Sequence, residues 1–557
     1  MRRRQHVEPH RHRRRHRGRR PVDPGGSALI PNHMPHHRSP QHHPSNGKRS
    51  RTMRKSNRPW VAAVSAVAAG SLLLGGCAAG SADSDGGDAA DVSDELVVAL
   101  AGDIDNFDPH TNQLIIYEYA IRELVFSSLV DYDVDLNLQG DLATEFEANE
   151  DATEFPFPLD ADAVFHDGTP VDAAAVIESL ERAADGTDSI WSGRLADVQS
   201  YDAPDDQTVV ITLNSPNAAF LSGIASIAIV APSGFDDASS SPVGSGPYEF
   251  VSWSANDEIV LERFEDYFGE AAATESIVYK PVADQQVALN SLYSGDIDIV
   301  SSVTSATAEQ VDTDRAGIVE PSATNSLSLI EFNASGTLGD ERVRQALAMA
   351  LDKESIRDIA YGGDGSIQWS PIPESSWAYA EQEGYSYDLD AAAALLEEAG
   401  ASDLSFTLEI PSGFPDAEQI ARVWQASLAE IGVTLTPNVT ELSVWLDAYV
   451  SRNYDATWNV FNVGADPNSF FDIIMNPHLT DDYVSPEVSG LAADALAVSD
   501  ESARADIYGE LQQILVEELP IMTVQFTPIY SVAATGVDGY AVNPLGWPML
   551  TDATVAE

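Results

Sequence analysis

A single cysteine, Cys77, occurs among the 557 residues. No intrachain disulfide can form, and no CxxC pair exists to hold a metal. Positive charge is scarce over most of the chain as well. From Cys77 to the C-terminus, 13 Lys and Arg stand against 86 Asp and Glu, a formal charge of −73 over 481 residues. Such a surface repels nucleic acid and anionic lipid headgroups, and it stays soluble where salt screens its self-repulsion. Of 12 histidines, only His110, His166 and His478 lie beyond Cys77. HExxH, GxSxG and the P-loop pattern GxxxxGK are all missing, so zinc hydrolases, nucleophile-elbow hydrolases and P-loop enzymes lose their usual signatures. Carboxylates are so plentiful that no pair stands out as the acid and base of a glycosidase.

Long hydrophobic runs are absent too. The apolar stretch Val61–Leu74 has 14 residues. As a helix it rises about 21 Å, short of a bilayer core of about 30 Å. It follows the basic stretch MRKSNRP (53–59), the order of a secretion signal rather than a permanent span. Leu74-Gly75-Gly76-Cys77 resembles a lipobox, where bacterial lipoproteins are acylated on cysteine and cut just before it. The thiol is the nucleophile for the lipid, which gives the lone cysteine its place. Residues 53–76 therefore read as a lipoprotein signal peptide. Residues 77–94, small and acidic without apolar periodicity, read as a flexible tether. Residues 1–52 hold nine histidines and the block RHRRRHRGRR (11–20). A nucleic-acid-binding arm upstream of an export signal would be discarded, so translation is expected to start at Met53.

What remains can fill two or three lobes. ELVVAL (95–100) reads as a buried strand followed by the turn-rich GDIDNFDPH. YEYAIRELVFSSLV (117–130) has helical spacing, and FHDGTP (165–170) reads as a turn. Asp172 is placed to cap a helix whose stripe is Val176, Ile177 and Leu180. QTVVITLN (207–214) alternates as a strand, and the segments 244–253 and 257–264 suggest a hairpin. After strand 325–335, GDERVRQALAMALDKESI reads as one capped helix. A second helix, over 389–401, stops at Gly400. Strand 404–410, helix 416–432 and strand 433–439 form a βαβ unit, so this half carries a parallel or mixed sheet. A last helix (501–518) precedes the strand material LPIMTVQFTPIYSVAA.

Five stretches occur in a telling order: FHDGTPVDAAAVIESLER, PVGSGPYEF, LYSGDIDIV, FNASGTLGDERVRQALAMALDKESI and YDLDAAAALLEEAG. Together, after a lipobox, they resemble the extracellular solute-binding proteins of family 5, the peptide and nickel receptors of ABC importers. The resemblance covers nearly all of residues 95–540. It implies an α/β, periplasmic-binding-protein-like fold with two lobes, a hinge and a cleft. By that analogy lobe I is 94–128, 241–332 and 519–557, an additional domain is 129–240, and lobe II is 333–518.

Ligand contacts are expected on loops facing the cleft. QLIIYEYA (113–120) matches the family's cleft wall and contributes Tyr117 and Glu118. The loop IQWSPIPESSW contributes Trp369 and Trp377, and Phe332 and Asn333 open the FNASG stretch. WNVFNVGADPNSFF contributes Trp458, Phe461, Asn462 and Asp466, the last at the position where peptide-binding members hold the ligand's α-amine. A tryptophan usual just before that aspartate is replaced here by Phe461 or Asn462. The resemblance thus implies a monomeric receptor on the outer face of the cell membrane, lipid-anchored at Cys77, that passes a short peptide to ABC permease subunits. No catalytic step, cofactor, metal or nucleic acid enters that expectation. A nickel chelate, an opine-like compound or a sugar are alternative solutes, and a secreted carboxylate-based hydrolase is the alternative of another class.

Overall fold

The computed structural model describes residues 93–112, 117–186, 188–475, 478 and 483–556, without the side chains of residues 118, 119 and 473. The expected extension, signal peptide, Cys77 and tether up to residue 92 lie outside the described residues. Every described residue belongs to one compact part of the chain, Asp85–Glu557.

Two large sheets organise that part. The first has seven strands in the order Ala316–Val319, Tyr530–Ala534, Ile299–Val303, Glu95–Leu100, Ser276–Pro281, Glu258–Arg263 and Tyr248–Ser254. Its centre is the apolar run ELVVAL, parallel to both neighbours and covered on both faces, as a strand without alternation requires. The second sheet has five strands in the order Thr434–Thr440, Ser405–Pro411, Ala456–Asn462, Ser326–Phe332 and Ile521–Phe526. The expected βαβ unit is its edge: Ser405–Pro411 and Thr434–Thr440 run parallel, joined by helix Pro415–Glu430. That helix buries Trp424 completely, with its indole nitrogen donating to the Leu347 carbonyl at 3.1 Å.

A small domain of three antiparallel strands, Glu154–Pro158, Thr208–Leu213 and Val198–Asp205, has its own core. Helix Ala173–Asp185 packs there through Ala173, Val176, Leu180 and Ala183, and the Asp172 carboxylate caps its first turn at Ala175 N.

Three expectations shift. The lobe boundaries at 332/333 and 518/519 would put Ser326–Phe332 and Ile521–Phe526 in the first sheet. Both strands pair in the second, so the chain crosses between sheets at 319–326 and 526–530. An apolar strand announces burial but not its partner. The single helix after Gly339 is two, Glu341–Met349 and Lys353–Ala360, because Asp352 turns its carboxylate onto Ser355 N and caps a fresh start. The helix expected over 117–130 ends at Val125. There the glycines of PVGSGPYEF come against it: Gly246 N donates to Val125 O at 3.1 Å, and a Cβ on Gly246 would lie 2.5 Å from Leu124 O.

Gly246→Ala therefore forces backbone apart in a packed junction, and it is expected to lower stability by about 1–3 kcal/mol. Urea denaturation of the two proteins measures it, and an unchanged midpoint would show that the junction yields freely.

Candidate functional site

A cavity of about 240 Å³ lies between the small domain, the loops at one end of the second sheet, and a C-terminal segment. The small domain supplies Tyr132, Trp191, Arg194, Asn217 and Phe220; the C-terminal segment supplies Leu545 and Trp547. From the second-sheet side come Asn462, Asp466, Asn468 and Asp472. Polar contacts clasp the two sides together. Asn462 Nδ2 donates to Leu545 O at 3.0 Å, and Ala218 N donates to Leu496 O at 2.8 Å.

Each wall is stiffened from behind. Trp191 is buried, with its indole nitrogen donating to Pro109 O at 2.9 Å. Trp547 has the buried Arg122 guanidinium 4.8 Å from its ring centroid. Tyr132 donates to Ser222 O at 3.2 Å, and burial first of all pushes its phenol up to about 12.

Asp466 sits in a tight structure of its own. Its Oδ1 accepts from Asn468 N at 2.9 Å, the turn that starts helix Asn468–Phe470. Both oxygens also pair with Arg504, Nη1 to Oδ2 at 2.9 Å and Nη2 to Oδ1 at 3.0 Å, and both residues are buried. Arg504 comes from helix Glu501–Glu518 and is further held by Ala495 O, by Tyr508 and by the Trp377 ring at 5.1 Å. Asp472 lies just beyond and accepts from Asn468 Nδ2 at 2.8 Å. Burial raises its carboxyl above the usual range; Arg194 opposes that shift, and Asp466 adds to it.

Of the residues expected at the site, Asn462 and Asp466 reach the cavity wall. Tyr117 is in the first-sheet core, donating to Phe107 O, while Phe332 and Trp458 are in the second-sheet core. These aromatic side chains were read as ligand contacts, but they serve as packing. Asn333 ties its loop to Arg452 O, and Trp369 stacks under Lys353. Trp377 and Phe461 pack behind the wall. The Glu118 side chain and residues 113–116 lie outside the described residues. Tyr132, Trp191, Arg194 and Trp547 went unread, being spread over separate segments; a cation in so acidic a chain was the one available signal for Arg194.

A second cavity, about 360 Å³, borders both crossings between the sheets. Its carboxylates Glu320, Asp364 and Glu374 are exposed, and among the described residues no Lys or Arg lines it. The first cavity brings together aromatic rings, amides and charges of both signs, and so offers far more to a solute. Among the described residues no group of His, Cys, Asp and Glu is arranged to hold a metal ion.

Similarity to known proteins agrees with this architecture. The probable D,D-dipeptide-binding periplasmic protein DdpA of Escherichia coli is 27% identical over 486 residues, covering 82% of this chain and 93% of its own. The ABC transporter substrate-binding protein CtaP of Listeria monocytogenes superposes with a TM-score of 0.77 at 24% identity, covering 84% of this chain and all of its own. The periplasmic binding protein DppA of Helicobacter pylori, solved with the peptide STSA, gives a TM-score of 0.73 at 23% identity over 84% of this chain and 99% of its own. Residues 137–478 match the model of the bacterial extracellular solute-binding proteins, family 5, and the chain belongs to that family.

Proposed function

We propose that the chain is the extracellular receptor of an ABC importer and that it binds short peptides in the cavity between the small domain and the second sheet. The observation that carries this reading is the cavity lining: Trp191, Trp547 and Phe220 offer apolar surface, the asparagines offer amide groups, and Arg194 and Asp472 offer opposite charges. A peptide has all three kinds of complementary group. The dipeptide named for DdpA and the peptide bound to DppA of Helicobacter pylori support the same class. A solute touching both walls adds its contacts to the closed arrangement alone, and so shifts the population toward it. The protein then needs no bond-making step.

The lipobox resemblance at Leu74–Cys77 supports anchoring to the outer face of the membrane. Asp466 we read as a framework residue, because its charge already has Arg504 as its partner.

Three outcomes are expected. Mass spectrometry of material released from the purified, denatured protein should find intact short peptides. A sugar, an opine or a nickel chelate in their place, or cleavage of added peptides, overturns the reading. Cys77→Ser should move the protein from membranes to the medium, since acyl chains supply the anchoring. A variant still sedimenting with membranes removes Cys77 as the anchor. Arg504→Met leaves the buried Asp466 carboxylate without a cation and should cost about 3–5 kcal/mol in urea denaturation. A loss under about 1 kcal/mol would place that pair with ordinary solvated surface pairs.

A further inference from the structure

The second cavity, about 360 Å³, is built around the two crossings between the sheets. Its walls are the segments 320–324 and 528–530, the end of strand Ile521–Phe526, and parts of the loop 364–375. Ile521–Phe526 is the last strand of the second sheet, and Ala316–Val319 is the last of the first. Ser366 pairs outside that edge, donating to Phe526 O at 3.1 Å and accepting from Phe526 N at 2.9 Å. The cavity therefore lies at the sheet edges, and it shares no lining residue with the first.

Its charge is of one sign. Among the described residues no Lys, Arg or His is ion-paired with Glu320, Asp364 or Glu374, all three of which line it. Asp364 accepts from the Tyr530 hydroxyl, a neutral donor that leaves the carboxylate charge in place. The Tyr530 phenol is pushed above its ordinary range, by burial first, then by that bond and by the charges of Asp364 and Glu320. Two of the carboxylates thus act on one point of the wall. The Lys353 ammonium donates to the Gln368 backbone carbonyl at 3.2 Å but does not line the cavity, and burial pushes its pKa well down.

Gln368 gives an independent sign. It lines the cavity, is only 7% exposed, and its Nε2 donates to Ser370 O at 3.0 Å and Ile372 O at 2.6 Å. Those two carbonyls fix which end of the amide is nitrogen. Oε1 is then an acceptor, buried and without a hydrogen-bond partner among the described residues. Leaving such a group unmade is costly, and a donor in the cavity removes that cost.

We propose that this hinge cavity binds an aliphatic di- or polyamine, held by Glu320, Asp364 and Glu374 and by Gln368 Oε1. All four groups ask for N–H donors, and three of them for positive charge. Pro321, Phe526, Pro528 and Ile529 offer apolar surface to the methylenes between ammonium groups. An occupant touches both crossings, so its binding stiffens the segments on which the two sheets turn. The site is separate from the one that takes the transported solute.

The test is amide hydrogen exchange on the purified protein with putrescine and with spermidine. Salt is held at about 0.15 M, where exposed charges are screened beyond about 8 Å. Protection should concentrate in 319–324, 364–375 and 526–530, and calorimetry should find one site per chain. Glu320→Gln combined with Glu374→Gln should weaken binding about tenfold or more. Glu397→Gln combined with Glu430→Gln, at exposed carboxylates elsewhere, should leave it unchanged. Absence of protection, protection spread over the whole surface, or equal loss in both double variants overturns the site. So does equal protection from magnesium chloride, which marks a diffuse counter-ion effect. Protection centred on 462–472 and 545–547 places the amine in the first cavity and overturns it as well. The peptide reading is judged separately, by the material released from the denatured protein.

Discussion

The relation between the two sheets depends on two short crossings of the chain and on the bonds that strap them together. Thr527 N donates to Ser326 O at 2.7 Å, and Thr324 Oγ1 donates to Thr527 O at 2.8 Å. Each sheet has its own buried cluster, so neither relies on the other for its core. Across the cavity the halves meet through polar contacts such as Ala218–Leu496 and Asn462–Leu545, and Ala465 packs against the core of the small domain. A hydrogen bond of that sort is worth about 0.5–1.5 kcal/mol.

With positive charge scarce, several arginines each hold segments together that lie far apart in the chain. Arg344 donates to the carbonyls of Leu338, Gly339, Glu518 and Leu519, gathering a helix end and a loop that the sequence separates widely. Arg182 pairs with Asp108 and joins the small domain to the loop after the first strand. Arg122 stands among Glu123, Asp131 and the Trp547 ring. Behind it Asp141 is pushed up to about 7, by burial first and then by Asp131, because one guanidinium cannot offset several buried carboxyls. In this company Arg194 is distinct: it faces a cavity and spends one donor on the protein.

Local features were legible in the sequence because their causes are local. Asp172 caps its helix through its own side chain, Gly400 takes the left-handed turn at φ 70°, and the βαβ unit follows from three consecutive periodic segments. Sheet membership was not legible, since Ser326–Phe332 and Ile521–Phe526 are apolar wherever they pair. The site was half legible for a related reason. WNVFNVGADPNSFF delivered Asn462 and Asp466 to the wall, but the opposing wall is assembled from residues near 132, 191–194, 217–220 and 547. No single stretch of those carries a pattern. Tyr117, Phe332 and Trp458 misled because an aromatic residue in an apolar strand reads equally well as a ligand platform or as core.

Asp466 separates position in a motif from availability of charge. A carboxylate attracts an ammonium only to the extent that its charge is not already compensated, and here the compensation comes from Arg504, 38 residues further along the chain. That arginine is in turn flanked by Trp377 and Tyr508, so the proline-rich loop 367–377 acts on the cavity by holding Arg504 in place. The ion pair makes the turn from Gly464 to Asn468 rigid, and the helical turns that follow carry Asp472 to the wall.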